Sequence, residues 1–284
     1  MPRRLAGSVL RQTFLHVPGV GYRTEERLWQ SGLESWDDLG TAKAERITPH
    51  LRLALEEEIG RSEDALRLRR YRYFARRLPA REHWRAWPEF RGSVGYLDIE
   101  TTGLDVGRNA VTVVGLFDGR RKRSFVQGAN LEELPHALED VQLLVTFNGS
   151  RFDIPFLRHA FPRMRLDQIH MELMNPLHRL GVWGGLKKIE RRLGIERSDE
   201  TIGLSGFDAV RLWNEYEAGD DDALDTLVAY NLEDVVNLEP LAEFAYGSLR
   251  SIVLDRGFVT ADRYVTPPEP ARATWKAPSS YVRT

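Results

Sequence analysis

Between residues 92 and 262 the chain alternates between two hydrophobic periods, and this constrains its fold more than any other feature. SVGYLDIE, VTVVGLF, RSFVQ and LLVTF are short, apolar or β-branched runs of strand length. LEELPHALE, FDIPFLRHAF, LKKIERRLG, FDAVRLWNEYEAG and ALDTLVAYNLEDVVNLEPLAEFAY carry helical spacing. Two early strands joined by a Gly-Arg turn, then strands and helices in alternation, predict an α/β fold. It is a mixed sheet flanked by helices.

The flanking zones differ in composition. Residues 1–60 read as a small helical module, 61–91 as a basic aromatic connector, and 263–284, with several prolines and little periodicity, as an extended tail. The formal net charge is -2, so any footprint of an anionic partner must be local. There are no cysteines, which excludes disulfides, thiolate metal sites and cysteine nucleophiles. A metal site must use carboxylates, histidines or backbone oxygens, a set that suits magnesium or manganese. The start has no long apolar region and no stretch approaches membrane-spanning length, so the expectation is a cytoplasmic protein without a membrane partner.

Three acidic segments stand out. In YLDIETTGL, Asp98 and Glu100 are two apart on a strand and so share a face. Two adjacent carboxylates resist ionising together unless a cation lies between them. In FNGSRFDIPFL, Asn148-Gly149 turns the chain after a strand and Asp153 opens a helix at the rim of the sheet, where ligands bind in open α/β folds. In AYNLEDVVNL, Tyr230 and Asp234 are four apart, one helical turn, on one face. Each has a plain alternative: a solvated strand edge, a helix cap, a tyrosine at a core margin with a surface aspartate. Taken together and in this order, the three point to one catalytic constellation.

These segments resemble the motifs of the DEDD superfamily of DnaQ-like 3′–5′ exonucleases, in its tyrosine-bearing subclass. FNGSRFDIPFL is similar to the version in family B DNA polymerases, and GGLKKIERRLGI resembles a segment between the second and third motifs of such nucleases. With the N-terminal hairpin described below, the chain most resembles the YprB-like group of RNase H-like proteins, several of which carry His-Asn where this chain has Tyr230-Asn231. The resemblance implies an RNase H-like sheet and hydrolysis of phosphodiester bonds in single-stranded DNA or RNA by two divalent ions, Mg2+ or Mn2+. It implies that Asp98, Glu100 and Asp234 hold the first ion, that Asp98 bridges to the second with support from Asp153, and that Tyr230 orients the attacking water. Thr101, Thr102, Gly103, Leu104, Asn148, Phe152 and Lys187 are the implied nucleic-acid contacts around these motifs. A structure-selective endonuclease and a non-catalytic nucleic-acid adaptor remain as alternatives.

HVPGVGYRTEERLWQSGLESWDDL resembles a helix-hairpin-helix motif, with Pro18-Gly19-Val20-Gly21 as the hairpin and Leu28, Trp29 and Leu33 packing its second helix. The following helix start could meet a phosphate, although Glu25, Glu26, Glu34, Asp37 and Asp38 make the surroundings acidic. Residues 61–91 hold ten arginines against four acids, with Tyr71, Tyr73, Phe74, Trp84, Trp87 and Phe90 interleaved. That mixture suits single strands, or else a connector with a basic face and a packing face. The packing reading is favoured for the aromatics and nucleic-acid contact for Arg69, Arg70, Arg76 and Arg77. Asp220, Asp221 and Asp222 read as a helix start, and His170 and Glu172 as structural.

Overall fold

The computed structural model describes residues 8–256. The expected tail (263–284) and the end of the expected 92–262 region lie outside the described residues.

Five strands form one sheet in the order β3-β2-β1-β4-β5: β1 Val94–Thr101, β2 Val111–Phe117, β3 Lys122–Val126, β4 Leu143–Thr146 and β5 Ile169–Glu172. The β1–β2 and β2–β3 pairs are antiparallel, and β1–β4 and β4–β5 are parallel. The expected mixed sheet is therefore present. β5 is an addition to the sequence reading: IHME is four residues long and half polar, too short to show a period.

The α-helices are α1 Val9–Gln12, α2 Tyr22–Gln30, α3 Pro49–Arg67, α4 Tyr71–Arg77, α5 Trp87–Phe90, α6 Leu134–Ala137, α7 Asp153–Ala160, α8 Met174–Arg179, α9 Leu186–Leu193, α10 Gly206–Glu217 and α11 Asp221–Arg256. The expected helix LEELPHALE shrinks to a 3-10 turn plus α6, because Pro135 fits only a first helical turn. Asp221 and Asp222 open α11 and are exposed.

Alternation along β1 sorts its side chains between the two faces. Leu97 and Ile99 pack with Leu134 of α6, Leu138 just after it, and Ile154, Phe156 and Leu157 of α7. Tyr96 packs with Val235 and Leu238 of α11 on the opposite face, and Asp98 and Glu100 follow it at period two. The register shifts between Glu100 and Thr101, a bulge of the kind that re-aims side chains beside functional sites.

The N-terminal segment joins the α11 face. Val9, Phe14, Leu28, Leu33 and Trp36 share a core cluster with Val145 of β4 and Leu238 of α11. Helix α3 runs through the expected boundary at residue 60. The aromatics of 61–91 are core residues: Tyr71, Phe74, Trp84, Trp87 and Phe90 are buried, and Tyr73 donates to Glu58 at 2.6 Å. Their spacing therefore reflects packing, not base stacking. In the hairpin, Gly19 has φ +81, a left-handed conformation that glycine adopts without strain.

Beneath this lies a buried ionic network. Arg85 reaches Glu25 at 3.0 Å and Glu82 at 2.8 Å, and Arg179 of α8 reaches Glu82 at 2.8 Å. Thr13 and the Phe14 amide donate to Glu25 at 2.6 and 2.7 Å, and Tyr22 donates to Glu82 at 3.1 Å. The acidic character of the hairpin is in part this paired, inward Glu25.

Candidate acidic active site

The residues predicted from the three motifs converge where β1 meets α11. One ligand oxygen each from Asp98, Glu100 and Asp234 lies within 4.8 Å of the others. β1 supplies two at period two, and α11 supplies the third through its packing across β1 and β2. That packing depends on Gly115, which pairs with Asp98 in β2. A Cβ on Gly115 would sit 2.4 Å from Asn231 Oδ1. Without one, Asn231 enters and its Nδ2 donates to Asp98 Oδ2 at 3.0 Å, orienting that carboxylate.

Asp153 is not among the three whose oxygens cluster, but it is buried nearby at the first position of α7, where its charge is felt by theirs. The turn before it is held by Glu172. Its carboxylate accepts from the amides of Asn148 at 2.6 Å, Ser150 at 2.9 Å and Met174 at 3.1 Å. Glu172 is thus structural, as expected, and allows Asn148 its φ of +64. His170 is structural too, with Nε2 2.8 Å from Thr146 Oγ1.

Burial sets the electrostatics. Asp98 is pushed up from 3.8 to about 7, chiefly by burial and against the pull of Lys187 and Arg197. Glu100 is raised by burial and by Asp98, and Asp153 by burial, then by Asp98 and Glu172. Burial and the charges of Glu100 and Asp98 also raise the Tyr230 hydroxyl, so it stays protonated. Carboxyls buried this close to one another do not all ionise unless a cation lies among them.

The chain places two cations beside the cluster. Lys187 of α9 donates to the Tyr230 hydroxyl and to Leu204 O at 2.6 Å, with its ammonium 3.9 Å from the centre of the Tyr230 ring. Burial and the nearby Arg197 lower it to about 8. Lys187, expected to meet phosphate, here meets the tyrosine. Arg197, which sequence reasoning missed, hydrogen-bonds Asp234 and holds Glu190 through Nε at 2.7 Å and Nη2 at 3.2 Å. Glu190 is fully buried and is fixed by Asn237 at 3.0 Å. The run Glu190-Arg191-Arg192 in a helix gave the one available signal, a charge on the packing face of α9.

The remaining expected contacts fall into two groups. Around the motifs, Thr101 Oγ1 donates to Gly103 O at 2.6 Å, Thr102 Oγ1 accepts from the Ala110 amide at 3.0 Å, and Phe152 packs on Phe156 at 4.9 Å. The two threonines and Phe152 thus shape the loops, whereas Leu104 is 76% exposed beside the site. In the basic segment, Arg70 and Arg76 are exposed. Arg69 donates to Glu89 O at 3.2 Å, and Arg77 is 3.4 Å from Glu58. Arg61, Arg67, Arg72 and Arg85 are all paired with acids, so the arginine count overstates the free positive charge.

The donor set fits a hard divalent cation. All candidate ligands are carboxylate oxygens, the donor type that such an ion prefers.

Residues 95–246 match the profile of the RNase H superfamily. They make up more than half of the chain, and the chain belongs to that superfamily. No functionally curated protein matches it. The fold is also similar to that of the family B DNA polymerase from the hyperthermophilic archaeon Pyrobaculum calidifontis. The identity is 18% and the TM-score 0.41, over 58% of this chain and 26% of the polymerase. The chain thus spans about a quarter of that polymerase's length.

Proposed function

We propose that the protein is a metal-dependent nuclease acting as a 3′–5′ exonuclease on single-stranded DNA or RNA. The observation that carries this reading is the convergence of three carboxylates, Asp98, Glu100 and Asp234, within 4.8 Å of one another. Membership of the RNase H superfamily supports the nuclease class, and the order of the three motifs supports the exonuclease assignment.

Asp98, Glu100 and Asp234 would hold magnesium or manganese, with Asp153 contributing directly or through water to a second ion. Bound there, such ions supply a more acidic water and stabilise charge on the phosphate and the leaving oxygen. The chain's own residues do the positioning. Asn231 sets the Asp98 carboxylate, and Glu172 sets the turn that carries Asp153. Tyr230, kept protonated, can orient a water without acting as its base. The Lys187 ammonium beside it can turn to a phosphate oxygen at little cost, being only partly buried. Leu104 stands exposed at the rim, where it can pack against a terminal base.

The test is cleavage of 5′-labelled single-stranded DNA and RNA with Mg2+ or Mn2+, beside circular substrates and an Asp98→Ala variant. A ladder shortening from the 3′ end, absent in the variant and with circles intact, is the expected result. Cleaved circles would replace the exonuclease assignment with an endonuclease. Equal activity in the variant would remove the site.

A further inference from the structure

Arg197 is held in an unusual way for a buried arginine. Its side chain is 7% exposed, as is that of Asp234, to which it is bonded. One edge of the guanidinium is saturated: Nε and Nη2 grip Glu190, and Nη2 also reaches Asp234. The other edge is not. Nη1 is buried without a hydrogen-bond partner, and its nearest acid, Glu233, is 3.9 Å away. The partners of the guanidinium also differ in kind. Glu190 is fully buried and pinned by Asn237, a permanent anchor. Asp234 belongs to the acidic cluster.

The segment carrying Arg197 is strapped across α11. The Ser198 amide donates to Glu233 Oε1 at 2.8 Å and Thr201 Oγ1 donates to Oε2 of the same residue. Glycines in left-handed conformation flank the strap, Gly194 at φ +73 and Gly203 at φ +89. It is thus fixed on α11 by both oxygens of Glu233.

We propose that Arg197 is the resident counter-ion of the acidic cluster, competing with a divalent cation for Asp234 while Glu190 keeps it tethered beside the site. This rests on reading the cluster as a cation site. The charges decide the direction. A guanidinium on Asp234 and a divalent ion among Asp98, Glu100 and Asp234 repel one another across a few ångströms of poorly screened interior. Arg197 therefore lowers the metal affinity of the cluster and stabilises the cation-free fold. Occupation by metal shifts the guanidinium off Asp234 without expelling it, because the paired bonds to Glu190 remain.

The experiment measures Mn2+ binding directly, by calorimetry or by the loss of free Mn2+ paramagnetic signal, in the full chain and in Arg197→Gln and Arg197→Lys. Arg197→Gln is expected to bind Mn2+ at least about tenfold more tightly, with a lower melting temperature in chelator and a larger rise on adding Mn2+. Arg197→Lys, which keeps the charge, should stay within about threefold of the parent. If Arg197→Gln does not fold, the parent protein still reports: arginine side-chain 15N resonances titrated with Mg2+ should show one Nε–H signal, absent from Arg197→Lys, moving as the site fills. Equal or weaker Mn2+ binding in Arg197→Gln, or an unmoved Nε–H signal, would overturn the proposal and leave the cation site standing. No Mn2+ binding by either the parent or Arg197→Gln would overturn both.

Discussion

Two of the places where the molecule buries carboxylates are built in opposite ways. Behind the sheet, Glu25 and Glu82 are matched by Arg85 and Arg179, with Thr13, Tyr22 and the Phe14 amide taking up further lone pairs. Burial alone would raise Glu82, but Arg85 and Arg179 outweigh it and leave it below the usual range. Glu25, with one guanidinium, remains raised by burial. At the junction of β1 and α11, four acids meet two cations, and Asp98, Glu100 and Asp153 are all raised. Burial is common to both sites. What separates them is how fully the chain supplies counter-charge. The first site ties the N-terminal segment to Arg85 and, through Glu82, to α8, and the second sets four acids against two cations.

The comparison can be broken from either side. The largest effect is expected at the compensated site. Glu82→Gln leaves Arg85 and Arg179 short of an anion in a dry interior and should cost about 3–5 kcal/mol. Thermal unfolding should show a fall of about 10 °C, and a fall under about 2 °C would mean that the network does not tie the N-terminal segment down. Next comes the support of the less compensated site. Gly115→Ala puts a methyl 2.4 Å from Asn231 Oδ1 and should cost about 1–3 kcal/mol by overpacking. Because Asn231 orients Asp98, the variant should also weaken Mn2+ binding, and unchanged binding would detach Asn231 from the site. The smallest effect is a control. Arg52 and Glu56 pair at 2.7 Å on the surface of α3, and Arg52→Ala should leave the denaturant midpoint unchanged within error. A larger change would show that charge pairing matters here irrespective of burial.

Much of this was legible in the chain itself. β1 to β4 and helices α7, α9, α10 and α11 follow from local periodicity, and Asp98, Glu100 and Asp234 follow from spacing within strand and helix. What escaped depends on contacts between distant residues. Arg85 finds Glu25 60 residues away, and Arg179 finds Glu82 97 away, so a segment read as a basic connector is core. Arg197 meets Asp234 across 37 residues, and only the charge of Glu190 on the packing face of α9 hinted at it. β5 was missed for the opposite reason. It is held by pairing to β4 and is too short to carry a period.

The central proposal is that the cluster around Asp98 binds a divalent cation, and a single crossover measurement tests it. A carboxyl whose folded-state pKa lies above its unfolded one binds its proton more tightly when folded. The contribution of Asp98 is thus full below about pH 4 and is lost as pH rises through about 7. Melting temperatures of the parent and Asp98→Asn should therefore be recorded from pH 4 to 8, in chelator and in millimolar Mn2+. In chelator Asp98→Asn should become the more stable by a few degrees as pH rises, and Mn2+ should reverse that order above pH 7 by stabilising only the parent. If Asp98→Asn is the less stable at every pH in chelator, or if Mn2+ shifts neither protein, the cluster is not a cation site and the account is wrong.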